Sequence, residues 1–229
     1  MKLCGVLFDL DGTLLDLDLD AFLRRYFVAL GAAAAPHFPD IDFMPAVLAS
    51  TSAMQRPHPG HTNKDVFDAD FRARTGIDLG SDHAVFDDFY RDVFPTLGDG
   101  YGPMPGARAA IERARALGLK VAVATQPIFP AAAIRHRIAW AGLSDVTFDT
   151  ITTYETMLAC KPLPAYFEQT AAMIGCAPGD CLMVGDDRAL DMPATAVGMR
   201  TFYVGAEVGS AADHTGTMKD LAALLGRLA

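Results

Sequence analysis

The sequence predicts an α/β fold, a doubly wound parallel sheet joined to a smaller α-helical domain. Three observations predict it. From about residue 103 onward, short apolar runs alternate with helix-like stretches, the pattern of βα units winding a parallel sheet with helices on both faces. The helix-like stretches there close at Gly118, Gly142, Gly175 and Gly198, the residue that most readily ends a helix. Residues 16 to about 100 lack strand alternation and instead carry aromatic residues at helical spacing.

The elements follow in order. Leu3 to Leu7 is an apolar run short enough for a buried strand, and it leads straight into Phe8-Asp9-Leu10-Asp11-Gly12-Thr13. The helical stretch that follows shows the stripes Phe22, Tyr26, Phe27 and Leu30, then Phe67 and Phe71, then Phe86, Phe89 and Tyr90, which read as packed helix faces. Pro105 and Gly106 open a helix over Ala107 to Leu117; a strand Lys120 to Ala124 and a helix Ala131 to Ala141 succeed it. A strand Phe148 to Thr153, a helix Ala165 to Ile174, a strand Cys181 to Val184, a helix near Asp191 to Val197 and a strand Thr201 to Val204 complete the winding. The expected division is residues 1–15 with 101–229 as a Rossmann-like core and residues 16–100 as the helical domain. Leu14 to Asp16 and the Gly/Pro-rich Gly98 to Gly106 serve as its two tethers.

Composition narrows the function. The 229 residues suffice for a full core, and 51% hydrophobic content marks a globular chain. Nineteen basic residues against twenty-eight acidic ones give a net charge of −9, which disfavours nucleic acid or an anionic membrane as a partner. The weakly polar stretch Phe27 to Pro36 falls far short of the roughly 20 residues that cross a bilayer. Cys4, Cys160, Cys176 and Cys181 lack Cys-x-x-Cys spacing and read as reduced thiols. The amino terminus enters a strand carrying Asp9 and Asp11 rather than a removable leader. The expected location is cytoplasmic.

The chemistry gathers at strand ends. Asp9 and Asp11 stand at the carboxyl end of the first strand, where open α/β folds bind ligands. Two carboxylates held so close repel unless a cation, or one shared proton, lies between them. Thr125 and Gln126 follow the second strand; Lys161, in Cys-Lys-Pro, follows the third; Gly185, Asp186, Asp187 and Asp191 follow the fourth.

Those four segments, in that order, resemble the motifs of the haloacid dehalogenase superfamily, in its phosphatase branch with a helical cap inserted after the first motif (phosphoglycolate phosphatase-like). The resemblance spans the chain, although residues 16 to about 100 match only in length and helical character. It implies Asp9 as the nucleophile toward phosphorus, Asp11 as the acid and then base, Thr125 as a phosphoryl ligand and Lys161 as the fixed positive charge. It implies Mg²⁺ held by Asp9, Asp186 and the backbone carbonyl of Asp11, oxygen donors suited to that ion. Asp187 or Asp191 acts behind them, orienting Lys161 or a metal-bound water, and the family's spacing favours Asp191. The second motif departs from the usual pattern, with Gln126 and Pro127 where the family places Asn after Ser or Thr. Gln126 thus reads as a modifier of cap closure or substrate orientation, or as a turn residue.

The expected substrate is a small phosphorylated metabolite. Asp11 argues against dehalogenase and phosphonate chemistry, which need no leaving-group acid, and Lys64, the lone lysine in the expected cap, has no supporting motif for a Schiff base. A phosphomutase and a non-catalytic phosphate-binding protein stay open. Arg24 and Arg25, and likewise Arg56, His58 and Lys64, are candidates to meet an acidic substrate group. His58 and His61 have zinc-like spacing but flank a Pro-Gly turn without a second ligand pair. Trp140 reads as a packing residue.

Overall fold

A computed structural model describes residues 2–79, 84–206 and 212–228. Six parallel strands form one sheet in the order β5-β4-β1-β6-β7-β8: β1 (Gly5–Phe8), β4 (Lys120–Val123), β5 (Thr150–Ile151), β6 (Cys181–Gly185), β7 (Arg200–Val204) and β8 (His214–Gly216). β1 lies at the centre, paired with β4 through Phe8 and Val123 and with β6 through Phe8 and Val184. Alternation distributes its side chains to both faces. Val6 and Phe8 join the core that also holds Val121, Val123, Leu182 and Phe202, while Leu7 joins Ala122, Met183, Tyr166 and Phe167 on the other. Every residue of β1 is buried, which is why the strand reads as one apolar run.

Helices α5 (Ala107–Ala116), α6 (Ala131–Trp140) and α7 (Pro164–Met173) sit close to their expected limits. The third expected strand contracts to Thr150–Ile151, and the segment expected as a helix from Asp191 is a 3₁₀ stretch over Met192–Val197 with Pro193 in its first turn. Two elements lie beyond the expected winding, β8 and the helix α8 (Met218–Leu228). α8 buries Leu221, Leu224 and Leu225, an i, i+3, i+4 stripe.

Between β1 and α5 the chain forms α1 (Leu19–Ala34), α2 (Phe43–Met54), α3 (Asn63–Thr75) and α4 (Ala84–Asp88), then a π-helical turn Phe89–Val93 and a 3₁₀ turn Phe94–Gly98. α1 buries Phe22, Tyr26 and Leu30 on one face. α3 starts at a capping box, Thr62 with Asp65, and ends at Gly76 in the left-handed region. The helices enter and leave through a two-stranded antiparallel ribbon, β2 (Leu15–Asp16) against β3 (Gly102–Pro103).

The cysteine reading needs correction. Cys4 and Cys176 form a disulfide with Cα atoms 5.9 Å apart across a sequence separation of 172, while Cys160 and Cys181 are buried free thiols. Spacing rules miss such a pair because the sheet makes it: Cys4 precedes β1, Cys176 precedes β6, and those strands are neighbours. The bridge removes the support that the cysteine pattern lent to a reducing compartment. Among the described residues no helix is long and apolar enough to cross a membrane.

Candidate active site

The central position of β1 decides where the polar side chains meet. The chain leaves β1, β4 and β6 at the same edge, so Asp9, Thr125 and Asp186 come from three adjacent strand ends. The Asp9 amide donates to Val184 O at 2.8 Å and the Ala124 amide to Phe8 O at 2.6 Å, extending the sheet into the site. Leu10 O then accepts from the amides of Leu14 and Leu15 at 2.9 and 2.8 Å, closing the loop after β1. Gly12, at φ +77°, makes that turn against the Asp186 carboxylate, where a Cβ would stand 2.1 Å from Oδ2. Thr13, fully buried, donates from Oγ1 to Asp186 Oδ1 at 2.9 Å. The first motif therefore grips the fourth through a hydroxyl and an absent side chain.

Lys161 ties the third motif to two others. Its Nζ donates to Asp9 Oδ1 at 2.7 Å and to Asp191 Oδ1 at 2.5 Å. Asp191 reaches it by packing on Gly185, where a Cβ would lie 2.0 Å from its Oδ2. Burial alone would lower the Lys161 pKa, but Asp191 and Asp9 outweigh it and hold the ammonium charged. The Asp191 carboxyl is raised by burial, opposed by Lys161. Gln126 explains itself here: its Oε1 accepts from the Lys161 amide at 2.9 Å and its Nε2 donates to Lys161 O at 3.1 Å. The longer amide fixes the lysine backbone in place. Thr125 is buried, and its carbonyl accepts from Thr152 Oγ1 and Tyr166 Oη, both at 2.9 Å.

Sequence reasoning missed Arg137, whose side chain is 1% exposed. Nη1 donates to Asp11 Oδ2. The guanidinium lies 4.4 Å from the ring centre of Phe129 and 6.0 Å from that of Phe22 on α1. Asp11 Oδ1 and Arg137 Nε and Nη2 are buried and have no hydrogen-bond partner among the described residues. Burial raises the Asp11 carboxyl, and Arg137 opposes it. The available signal was the helix period, since Arg137 falls on the buried stripe Ala133, Ile134 and Ile138 of α6. Asn63, the first residue of α3, was missed as well. Fully buried, it donates from Nδ2 to Pro127 O at 2.8 Å, and its amide donates to Met157 O at 2.8 Å.

Four carboxylates, Asp9, Asp11, Asp186 and Asp191, thus face two cations, Lys161 and Arg137. The excess negative charge shows in Asp186, whose pKa is pushed up to about 6 by burial and then by Asp9. Carboxylate oxygens of Asp9, Asp186 and Asp191 lie within 4.8 Å of one another. An all-oxygen donor set with uncompensated negative charge fits a divalent cation.

Other candidates lie elsewhere. Asp187 is exposed and its Oδ1 accepts from the amides of Ala189 and Leu190 at 2.7 and 3.0 Å, capping its own turn. Arg25 donates to Asp99 O at 3.1 Å and stacks 5.6 Å from the Tyr101 ring centre, while Arg24 is exposed on the same helix. The His58 ring nitrogens face Met54 O and His61 O, so its partners are backbone carbonyls. Trp140 stacks on Phe94 at 5.3 Å. A cavity of about 770 Å³ lies between the helices of the insertion and the loops after β4 and β5, lined by Phe67, Phe71, Lys64, Ile128, Arg135 and Tyr154 among others. None of the clustered carboxylates borders it.

The parallel sheet thus carries acidic loops after its neighbouring strands β1 and β6 and a threonine after β4. The family model of the haloacid dehalogenase-like hydrolases matches residues 5–197, and the chain belongs to that family. Phosphatase MT3486 of Mycobacterium tuberculosis is 30% identical over 148 residues, 65% of this chain and 64% of its own length. The chain thus spans less than two thirds of that relative. Hexitol phosphatase A of Escherichia coli is 28% identical over 207 residues, 90% of this chain and 85% of its own. Among solved structures, a phosphatase of the family from Thermococcus onnurineus superposes with a TM-score of 0.62 at 22% identity, covering 98% of each chain.

Proposed function

We propose that the protein is a Mg²⁺-dependent phosphatase, a phosphoric monoester hydrolase that acts on a small phosphorylated metabolite through an aspartyl-phosphate. The observation that carries this reading is the pair of carboxylates from one loop with different partners: Asp9 on Lys161, Asp11 on Arg137. One accepts a hydrogen bond from the Lys161 ammonium at 2.7 Å, a contact suited to a carboxylate nucleophile. The other keeps one oxygen without a hydrogen-bond partner among the described residues, as a proton carrier requires. Similarity to a hexitol phosphatase over most of both chains supports the same class.

In this mechanism an Asp9 oxygen attacks phosphorus and the ester P–O bond breaks. Asp11 gives its proton to the leaving alkoxide, then takes a proton from the water that attacks the aspartyl-phosphate, releasing inorganic phosphate and restoring Asp9. Lys161 offsets charge on Asp9 and the transferring group, and Thr125 supplies a hydroxyl and an N–H to a phosphoryl oxygen. Asp9, Asp186 and the Asp11 carbonyl would hold Mg²⁺, with Asp191 turned to the same place, and the bound ion would neutralise phosphoryl charge. The helical segment 16–100 acts as the cap, and Asn63 seats it on the loop after β4.

The test is phosphate release from a panel of phosphorylated metabolites by wild type and Asp9→Asn, each with Mg²⁺ and with chelator. Turnover should require Mg²⁺ and vanish in the variant. Isomerised sugar phosphate in excess of free phosphate would indicate a mutase, and binding without turnover would indicate a non-catalytic protein.

A further inference from the structure

We propose that Arg137 is the positioning residue for proton transfer, fixing Asp11 as the carboxylate that serves the leaving group and the attacking water. The inference rests on the phosphatase reading and extends it to a side chain that none of the four motifs contains.

Three observations carry it. First, Arg137 is 1% exposed, yet it projects from a helix whose other buried residues are Ala133, Ile134 and Ile138. Arginine is almost never buried without a partner, and among the described residues the carboxylate bonded to this guanidinium is that of Asp11. Second, the contact is one-sided. Nη1 holds Asp11 Oδ2 while Oδ1 has no hydrogen-bond partner among the described residues. A carboxylate anchored through one oxygen leaves the other, here buried and unpaired, uncommitted for proton exchange once substrate is in place, in the way a buried orienting group aims a catalytic base. Third, the guanidinium is itself held, stacked against Phe129 of the loop after β4 and facing Phe22 of α1. Arginine favours such aromatic stacking. Because Phe22 belongs to the insertion and Phe129 to the core, the orientation of Asp11 is referred to both.

The role concerns protons and makes a specific demand. In the first half-reaction the Asp9–phosphorus bond forms, the ester P–O bond breaks, and the electron pair leaves on the alcohol oxygen. An alkyl leaving group needs the Asp11 proton at that moment; p-nitrophenolate, a weak base, does not. In the second half-reaction Asp11 must take a proton from water whichever ester was used. Loss of Arg137 should therefore spare formation of the aspartyl-phosphate from p-nitrophenyl phosphate and slow everything else.

The experiment compares wild type, Arg137→Met, Arg137→Lys, Asp11→Asn and the double variant Arg137→Met/Asp11→Asn with Mg²⁺ present. Readouts are the pre-steady-state burst of p-nitrophenolate and steady-state turnover of the best alkyl phosphate. Arg137→Met should lower alkyl turnover by about 10²-fold, at the lower end of what general acid–base catalysis contributes. It should leave the burst rate within a small factor of wild type and add nothing in the Asp11→Asn background. Arg137→Lys, which keeps the charge and loses the fork, should show the same pattern with a smaller loss; it carries the test if circular dichroism shows that the methionine variant does not fold. Equal losses in burst and alkyl turnover, or additive losses in the double variant, would overturn the inference and leave the phosphatase reading standing. Wild type without turnover of either ester would overturn both.

Discussion

The two flanks of the site hold their carboxylates by different means. On the α7 side, Lys161 is held chiefly by hydrogen bonds, to Asp9 and Asp191 and from its backbone to the Gln126 amide, with the Tyr166 ring centre 5.8 Å from its Nζ. On the α6 side, Arg137 touches one carboxylate and lies against aromatic rings. The lysine ammonium is fixed by core carboxylates, so its position does not rest on a side chain of the insertion, although Asn63 of α3 bonds to Met157 O and Ala159 O just ahead of it. The arginine is fixed partly by Phe22, so its position does rest on one. In the proposed mechanism the difference separates charge stabilisation, assigned to Lys161, from proton delivery, assigned to Asp11.

Breaking the α7 side should cost most. Asp9→Asn removes the proposed nucleophile and should lower phosphate release by at least about 10³-fold in a discontinuous phosphate assay. Lys161→Met should lower kcat by roughly 10²- to 10³-fold. It should also destabilise the fold by about 3–5 kcal/mol, because Asp9 and Asp191 would stay buried without their cation; urea unfolding measures this. A smaller loss than that of Arg137→Met on the same alkyl ester would reverse the proposed division of labour. Gln126→Ala deletes two hydrogen bonds to the Lys161 backbone and should cost about 1–3 kcal/mol of stability, with kcat falling more than KM rises.

The smallest effect is a pH dependence of the metal-free protein. Asp186 titrates at about 6 when folded against an ordinary value near 3.9, so the folded chain binds that proton more tightly than the unfolded one. Its contribution is complete below about pH 4 and is lost as pH rises through 6. Chelated protein should melt at a lower temperature at pH 7 than at pH 5, and Mg²⁺ should remove most of the difference. An unchanged pH difference in Asp186→Asn would detach it from this carboxylate.

The legibility of the two flanks in the sequence was unequal for the same physical reason. Asp9, Thr125 and Asp186 lie at or just after strand ends, where apolar runs announce them, while Lys161 stands well beyond β5 and was legible from its Cys-Lys-Pro motif. Arg137 lies inside a helix directly after two other cationic-capable residues, Arg135 and His136, and only packing distinguishes it from a solvated face. Asn63 and Thr13 likewise owe their partners to contacts across 64 and 173 residues. The central βα winding was readable from period and glycine stops. The α8 stripe was equally readable from Leu221, Leu224 and Leu225, whereas β8 spans three residues, too few to show a period. The Cys4–Cys176 bridge was not readable, since it depends on which strands become neighbours.

The ribbon of β2 and β3 places Asp16 opposite Gly102 and Leu15 opposite Pro103. Departure and return of the helical segment therefore occur at one point on the core, as on a branch grafted to a stem. Replacement by a shorter or unrelated module would leave the connections between the core strands unchanged, with one locus as the point of exchange. The same adjacency marks where an engineer would cut: a tight turn joining Asp16 to Gly102 would close the stem without rethreading it.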